Sequence, residues 1–122
     1  MDLTQQTATE LIDLYRTGDA SPVEALQQVL DRLERLEPTL NAFVMVDADA
    51  GMASARESEE RWAAHRDHGS PVGDLEGVPV SIKDILLTKG WPTLRGSRAI
   101  DPGQPWEVDA PCVARIREAG GV

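Results

Sequence analysis

The stretch Gly77-Val78-Pro79-Val80-Ser81-Ile82-Lys83-Asp84 decides the interpretation of this chain. Its alternation predicts a short strand in which the valines and Ile82 share one face, whereas Ser81 and Lys83 share the other. If a larger domain covers that second face, loss of water favours the neutral lysine amine, which can then take a proton from a serine hydroxyl. The stretch therefore marks Lys83 as a candidate base at the end of a strand.

Together with its flanking motifs, this stretch resembles the amidase signature family. The matching segments follow one another along most of the chain: Leu40-Asn41-Ala42-Phe43-Val44, Gly73-Asp74-Leu75-Glu76 leading into the quoted stretch, Gly90-Trp91-Pro92-Thr93 with Gly96-Ser97, and Asp109-Ala110 before Val113-Ala114-Arg115-Ile116. Members of this family hydrolyse or transfer amides with one lysine and two serines. The resemblance implies that Lys83 is the catalytic lysine, which deprotonates a bridging serine that in turn activates the nucleophilic serine.

The resemblance also implies a fold and a domain organisation. We expect an α/β fold, namely the N-terminal part of an amidase-signature α/β/α sandwich with a mixed sheet, preceded by N-terminal helices. Residues 1–122 would form one incomplete amidase domain, mainly helical over 1–68 and with the start of the α/β core at 69–122. The family motif that carries both serines lies further along than Val122. We therefore expect a fragment of an amidase with a Ser-Ser-Lys acyl-enzyme mechanism, inactive alone.

Two other functions stay open at this stage. A fragment like the A subunit of the glutamyl- or aspartyl-tRNA amidotransferases would release ammonia from an amide donor and pass it to another active site. A truncated, non-enzymatic module would instead expose an apolar sheet edge, which predicts a partner, aggregation or a homodimer. The complete enzyme would take a small-molecule amide as its substrate, and Trp91, Trp106 and Arg95 would either line its entrance or simply pack.

Composition restricts the partners and the compartment. The chain has 21 acidic and 12 basic residues and a formal charge of -9, which disfavours direct contact with nucleic acid or with an anionic membrane surface. Cys112 is the only cysteine, so no intramolecular disulfide can form, and we expect it to be a small buried residue. There is no signal-peptide pattern and no run of about 18 apolar residues. The expected location is the cytoplasm.

The remaining candidate site residues have structural interpretations. Ser81 is expected to be a polar strand residue, and Asp84 to anchor the loop that follows the strand. His65 and His68 have the i, i+3 spacing of a ligand pair, but no further ligand cluster accompanies them, so we expect cations near a helix C-terminus and no metal site. The glycines of the loop before Val78 lack the spacing of a phosphate-binding loop, and no cofactor is expected.

Apolar periodicity and capping residues predict four helices. Thr7 and Ser21 are predicted caps of the first two, Pro38 is expected to end the second near Leu36, and Asp109 is expected to cap the fourth. The predicted elements are helices at about 8–16, 21–36, 47–65 and 110–118, strands at 78–82 and 85–88, extended chain at 41–46, a loop at 69–77, irregular chain at 89–105, and a core strand beginning near residue 122.

Overall fold

Four helices and the loops between them make up the molecule. The computed structural model describes every residue from Met1 to Val122. A single 3-10 turn at Leu3–Gln5 comes before the first helix. The helices are α1 at Ala8–Thr17, α2 at Pro22–Leu40, α3 at Ala48–His68 and α4 at Pro111–Glu118. The four predicted helices are thus confirmed, with shifts at several of their ends.

The expected α/β fold with a mixed sheet is wrong for this chain, because the structure contains no sheet. The predicted strands at 78–82 and 85–88 are not formed, and the one β-bridge is antiparallel, between Thr88 and Trp91. The 78–83 segment pairs with a single residue: Val80 N–H donates to the Val122 carbonyl at 2.6 Å, and Val122 N–H donates to the Val78 carbonyl at 2.9 Å. Two bonds to one residue are too few to form a ladder, since a stable sheet needs several paired strands.

The first two helices begin at reciprocal capping boxes. In α1 the Thr7 hydroxyl accepts the Glu10 N–H while the Glu10 carboxylate accepts the Thr7 N–H. This interaction lowers the pKa of the Glu10 carboxyl, chiefly through the hydrogen bond from the Thr7 backbone. Ser21 and Glu24 make the same exchange at the start of α2. Both predicted caps are confirmed, and each satisfies N–H groups that a helix start would otherwise leave unpaired.

The predicted end of α2 is wrong by one turn. The helix continues past Leu36 to Leu40 and contains Pro38 in its last turn. A proline there lacks only its own N–H, and the following turn still closes, because Asn41 N–H donates to the Glu37 carbonyl at 2.8 Å. Asn41 then leaves the helix in the left-handed conformation, with φ of 47°. Asparagine tolerates this conformation better than most residues do.

The predicted cap of α4 is also wrong. The residue at the cap position is Ala110, which makes no side-chain bond, while the Asp109 carboxylate is directed elsewhere. Its oxygens accept the Lys89 N–H at 2.6 Å and the Arg117 Nε–H at 2.9 Å. The bond from the Lys89 backbone holds the pKa of Asp109 below its ordinary value of 3.8. Asp109 therefore joins two distant parts of the chain instead of capping the nearest helix.

The core lies where α1, α2 and α3 meet. Tyr15 is completely buried and Trp62 is 1% exposed, and their ring centroids are 6.2 Å apart at a tilted angle. Burial raises the pKa of the Tyr15 phenol above its ordinary range. The other members of this cluster are Leu3, Leu11, Ala20 and Ala25. The two aromatic rings are thus the largest side chains of a core that otherwise contains small and aliphatic residues.

The surface differs from the sequence-based expectation at one residue in α4. Cys112 is exposed, so its predicted burial is wrong; Val113, next to it, turns inward instead.

The predicted extended chain at 41–46 forms no strand, and all of these residues are exposed. None of the helices combines the length and the apolar composition that crossing a membrane requires.

Candidate functional site

The loop that leads to Lys83 is held by two aromatic side chains from the core. Trp62 Nε1–H donates to the Glu76 carbonyl at 3.0 Å. The Tyr15 hydroxyl donates to the Gly77 carbonyl at 3.3 Å. Both bonds are buried, and each partner lies far away in sequence, so the helical core fixes two successive peptide groups at the start of the Lys83 segment. The position of that segment is therefore determined by α1 and α3.

The buried Glu76 carboxylate adds an ion pair with the partly exposed Arg61 to this attachment. Only 4% of its side chain is exposed, and Oε1 lies 2.9 Å from Arg61 Nε. A buried carboxylate is costly unless it is paired and hydrogen-bonded, and the Gly73 N–H at 3.4 Å from Oε2 is a further, weaker donor. The backbone of the same loop is tied to the end of α4, since Leu75 N–H donates to the Ala119 carbonyl at 2.8 Å.

Two glycines of this loop are required by close packing: a Cβ at Gly73 would overlap the Ala119 carbonyl group, and Gly77 combines a close approach with a left-handed backbone. The φ of Gly77 is +81°, and a Cβ there would lie 2.5 Å from Pro22 Cγ and 2.8 Å from Ser58 Oγ. The side chains of α2 and α3 thus approach the loop backbone directly. The Ser58 hydroxyl is fully buried at this contact and has no hydrogen-bond partner. Close packing is maintained here at the cost of one unsatisfied polar group.

Exposure rises along the segment from Val78 to Lys83. Val78 is 7% exposed, Val80 and Ile82 are half-buried, and Ser81 and Lys83 are exposed. The predicted alternation of the two faces is therefore confirmed in the exposure of the side chains. Ser81 makes no hydrogen bond to Lys83, and nothing in this chain buries the lysine amine. The structure brings the two residues to the same surface without joining them.

A tight turn follows Lys83 and is fastened by Asp84. The Lys83 carbonyl accepts the N–H groups of Ile85 at 2.7 Å and Leu86 at 3.0 Å. The Asp84 carboxylate accepts the Leu94 N–H at 3.0 Å, across ten residues of chain. The predicted role of Asp84 as the anchor of this loop is thus confirmed. The turn holds the lysine backbone at a defined place on the surface.

Lys83 lies on the rim of an open groove of about 340 Å³. One wall is the apolar face of α2, the other is the exposed stretch 43–46, and the segment 79–84 forms the floor together with 91–93 and Val122. The lining is mostly hydrophobic, and Lys83 supplies its one amine.

The three residues predicted to line an entrance or to pack have different surroundings in the structure. Trp91 lines the groove. Trp106 lies outside it and donates its Nε1–H to the Pro102 carbonyl at 3.0 Å. Arg95 is exposed and adopts a left-handed φ of 56° in the turn before Gly96. Trp91 is thus the member of the trio that faces the candidate site.

The predicted histidine pair lies in the last turn of α3, as expected from its position near a helix C-terminus. His65 Nδ1 lies 2.7 Å from the Ser70 carbonyl oxygen. A carbonyl only accepts, so this nitrogen carries the proton and is not free to bind a metal. No cluster of three or more potential metal ligands occurs in the structure.

Two features of the site were missed from the sequence. Phe43 to Val46 form a groove wall, although the sequence indicated only short extended chain there. Glu76 is buried and forms the ion pair with Arg61 that anchors the Lys83 segment, although it was recognised only as part of a motif. Signals for both were present: a run of large apolar residues after a helix, and one of two acidic residues inside a glycine-rich loop. Neither signal specifies which surface the side chain meets.

The comparison with protein families gives the class of the chain. The model of the family described as Amidase matches residues 24–122. This covers α2 from Glu24 onward, α3, the Lys83 segment and α4. The chain therefore belongs to the amidase signature family.

Curated relatives point to one group within that family. The chain is 41% identical over 121 residues to the glutamyl-tRNA(Gln) amidotransferase A subunit of Salinispora tropica, which covers 99% of this chain and 24% of the relative. It is 40% identical over 120 residues to the protein of the same name from Myxococcus xanthus, covering 98% of this chain and 24% of the relative. The chain thus spans about a quarter of the length of these relatives.

Solved structures of the family superpose well on the chain. A bacterial aryl acylamidase of the amidase signature family matches with a TM-score of 0.84 and 27% identity, over 96% of this chain and 24% of that one. A structure described as a vestigial protein complex that reveals the origins of an s-triazine catabolic enzyme matches with a TM-score of 0.83 and 25% identity, over 96% and 25% of the two chains. The arrangement described above therefore recurs as a portion of larger enzymes.

Proposed function

We propose that this chain supplies the lysine-bearing part of an amidase active site, with Lys83 as the catalytic base. Family membership over residues 24–122 supports the class of reaction. The observation that carries the assignment of the residue is the placement of Lys83, exposed on the groove rim at the end of a segment whose start is fixed by buried contacts. A base must hold its position while a proton is transferred, and this segment is held at both ends.

The chemistry needs a lysine because a serine hydroxyl is a weak nucleophile. The proposed base takes the proton of a bridging serine, which activates the nucleophilic serine for attack on the amide carbon. The C–N bond then breaks, the amine leaves with a proton, and water later hydrolyses the acyl-enzyme. Backbone N–H groups that stabilise the oxyanion contribute about 3 to 4 kcal/mol per donor in other hydrolases. In this proposal the two serines and these donors lie in further parts of an amidase, since the chain covers only 24% of such a relative.

The second candidate function is that of an amidotransferase component, and the identities to two amidotransferase A subunits favour it. Its first half-reaction is the same, because an amide donor acylates the serine and releases ammonia. The difference lies in the fate of the ammonia, which passes to a second active site instead of to solvent. Lys83 has the same role in both functions, so the proposal for this residue does not depend on the choice between them.

The proposed substrate is a small-molecule amide that reaches Lys83 from the groove. The proposed compartment is the cytoplasm, because a chain with a single cysteine fits a reducing environment.

The test is a chimera in which these 122 residues replace the matched quarter of the Salinispora tropica relative. Ammonia release from glutamine is measured for the chimera and for its Lys83→Ala and Lys89→Ala variants. Lys89 is the matched control because it is the only other lysine, and its side chain is also exposed. We expect Lys83→Ala to lower kcat by about 1,000-fold or more, as the loss of a catalytic base does elsewhere.

The Lys89→Ala chimera should retain the activity of the parent chimera, and both variants should unfold at the parent temperature. The chain without the rest of the relative should release no ammonia. An active chimera whose rate is unchanged by Lys83→Ala would overturn the proposal. Equal loss in both lysine variants would also contradict it, because the effect would then reflect surface charge.

A further inference from the structure

The turn at 94–97 has a backbone that its sequence does not favour. Arg95 and Gly96 are both left-handed, with φ of 56° and 68°, and the Ser97 N–H donates to the Leu94 carbonyl at 2.8 Å. This combination defines a type I′ turn, in which Asn-Gly is the favoured central pair. Arginine is strained in a conformation that asparagine tolerates. Strained residues cluster at ligand-binding sites, so Arg95 is a candidate for such a site.

Asp84 holds this turn beside Lys83. Its carboxylate accepts the Leu94 N–H at 3.0 Å, and Asp84 directly follows Lys83 in the chain. Because successive Cα atoms are 3.8 Å apart, this bond keeps the Cα atoms of Lys83 and Arg95 within about 16 Å of each other. Both side chains are long, so one small molecule can contact both cationic groups.

The turn presents hydrogen-bond donors that have no acceptor within the chain. Arg95 and Gly96 are exposed, and neither backbone N–H donates to any protein atom. The Ser97 hydroxyl accepts the Ala99 N–H at 3.2 Å but donates to nothing. Successive free N–H groups in a turn form a concave site that suits an anion.

Two guanidinium groups of this loop also lack partners. Arg95 and Arg98 are exposed, and neither forms an ion pair, whereas four other arginines of the chain pair with carboxylates. A planar guanidinium binds a carboxylate through two parallel N–H···O bonds. In a chain with 21 acidic residues, these two groups stay available for the carboxylate of a ligand.

Only the part of the chain around Lys83 is basic. Residues 83–99 contain four basic residues and one acidic residue, Asp84, whose carboxylate already accepts the Leu94 N–H. Residues 1–82 contain 16 acidic and six basic residues. A basic stretch in an acidic molecule attracts anions to itself. The formal charge of -9 repels a doubly charged anion more strongly than a singly charged one, which favours a carboxylate over a phosphate.

We propose that the turn at 94–97 binds a carboxylate of the amide substrate, with the Arg95 guanidinium and the N–H groups of Arg95 and Gly96 as donors. The substrate is then an amide that carries a second, free carboxylate, which lies at the turn while the amide group lies at Lys83. This inference rests on the proposed function for the position of the amide. Binding of the carboxylate itself needs no catalytic step.

Binding is tested on the isolated chain with acetate as the probe. The isotope-labelled chain is titrated with sodium acetate at constant ionic strength, and NMR follows every backbone amide. We expect saturating shifts at Arg95, Gly96 and Ser97, and an affinity that Arg95→Asn lowers about tenfold or more. Arg35→Gln is the matched control, since Arg35 is an exposed arginine of α2 without an ion pair, and it should leave the affinity unchanged.

Two results of the titration would overturn the proposal. The first is a set of shifts that do not saturate or that occur equally across the acidic helices. The second is saturation by inorganic phosphate and not by acetate, which would assign the turn to a phosphate.

The stability of Arg95→Asn separates binding from folding. Asn-Gly is the favoured pair of this turn, so the variant should unfold at a higher urea concentration than the parent although it binds acetate more weakly. A lower urea midpoint together with lost binding would mean that Arg95 acts through the structure of the turn. That result would contradict direct contact with the carboxylate.

Kinetics of the chimera with the Salinispora tropica relative connect the turn to the substrate. Glutamine, with a free carboxylate, is compared with glutamine methyl ester, in which the carboxylate is blocked. Arg95→Asn should raise the KM for glutamine about tenfold or more, change kcat less than about twofold, and leave the KM for the ester unchanged. An unchanged KM for glutamine would overturn the proposal.

The two lysine and arginine variants distinguish this inference from the proposed function. A raised KM in Arg95→Asn, with activity that survives Lys83→Ala, would refute the proposed function and leave the carboxylate site intact. Loss of activity in Lys83→Ala, with no effect of Arg95→Asn, would do the reverse. If the chimera releases no ammonia, the acetate titration decides whether the turn binds a carboxylate.

Discussion

The helical region up to residue 68 and the region from 79 to 110 differ in how each reaches its structure. The helices close on one another: capping boxes satisfy their first turns, and Tyr15 and Trp62 are buried between them. The later region has one β-bridge, no helix, and a groove with an exposed apolar wall on its other side. The first region buries its own apolar core, whereas the second holds a candidate catalytic group on an exposed surface.

The two regions are connected at Glu76 and Gly77. Side chains of the first region hydrogen-bond to the backbone of Glu76 and Gly77 and pair with the Glu76 carboxylate. These contacts determine where the later region starts. Stability and function are thereby separated along the chain, because the groups that fix Lys83 lie in buried helices while the lysine lies on the surface. Substitutions in the two regions should therefore have very different effects on the free energy of unfolding.

The largest difference is expected between two tryptophans. Trp62→Ala removes a fully buried ring and its bond to the Glu76 carbonyl, and should lower the free energy of unfolding by about 3 to 5 kcal/mol. Trp106→Ala removes a partly exposed ring that bonds only four residues away, and should cost less than about 1 kcal/mol. Urea unfolding followed by circular dichroism measures both. Similar losses would mean that the later region is also part of the cooperative core.

A smaller difference is expected between two glycines of similar φ. Gly77→Ala meets Pro22 and Ser58 in addition to the strain of φ +81°, and should destabilise the chain by about 2 to 4 kcal/mol. Gly96→Ala has φ +68° and nothing within 4 Å, so only the backbone strain of about 1 to 2 kcal/mol remains. The midpoints of urea unfolding of the two variants give the comparison. Equal shifts would show that Pro22 and Ser58 do not restrict the side chain at position 77.

The smallest effect is expected at Asp109 and depends on pH. Its folded-state pKa is lowered, so its stabilising contribution is complete above the ordinary carboxyl pKa of 3.8 and disappears as the pH falls through the lower, folded value. Asp109→Asn should therefore reduce the free energy of unfolding by less than about 1 kcal/mol at pH 7, since Arg117 is half-exposed. Urea midpoints at pH 7 and at successively lower pH should converge. A gap that stays constant would contradict the carboxylate role.

The same contrast explains what the sequence could predict. The helices and the caps Thr7 and Ser21 are local features, since each cap and its partner are separated by three residues. A contiguous motif marks both Lys83, which stays a predicted catalytic residue, and Asp84, whose predicted anchoring role is confirmed. The family could be recognised for the same reason, from segments that are continuous in the chain.

Features that depend on distant partners were predicted poorly. The mixed sheet was wrong because an apolar, alternating segment specifies a strand only when another strand pairs with it, and here Val122 alone does so. Asp109 was assigned to the nearest helix start, but its carboxylate bonds to Lys89, twenty residues away. The burial of Glu76 beside Arg61 depends on how α3 packs against the loop, and the sequence pattern carries no record of that.

Amide hydrogen exchange, measured by mass spectrometry on the isolated chain and on the chimera with the Salinispora tropica relative, tests the central claim most directly. That claim is the division between a self-supporting helical scaffold and an uncovered groove that holds Lys83. We predict slow exchange of the α3 amides around Trp62 in both samples. Amides from Ile82 to Leu86 and at 43–46 should exchange rapidly in the isolated chain and slowly in the chimera, where the rest of the relative covers the groove. Equal exchange of both groove segments in the two samples would contradict the account.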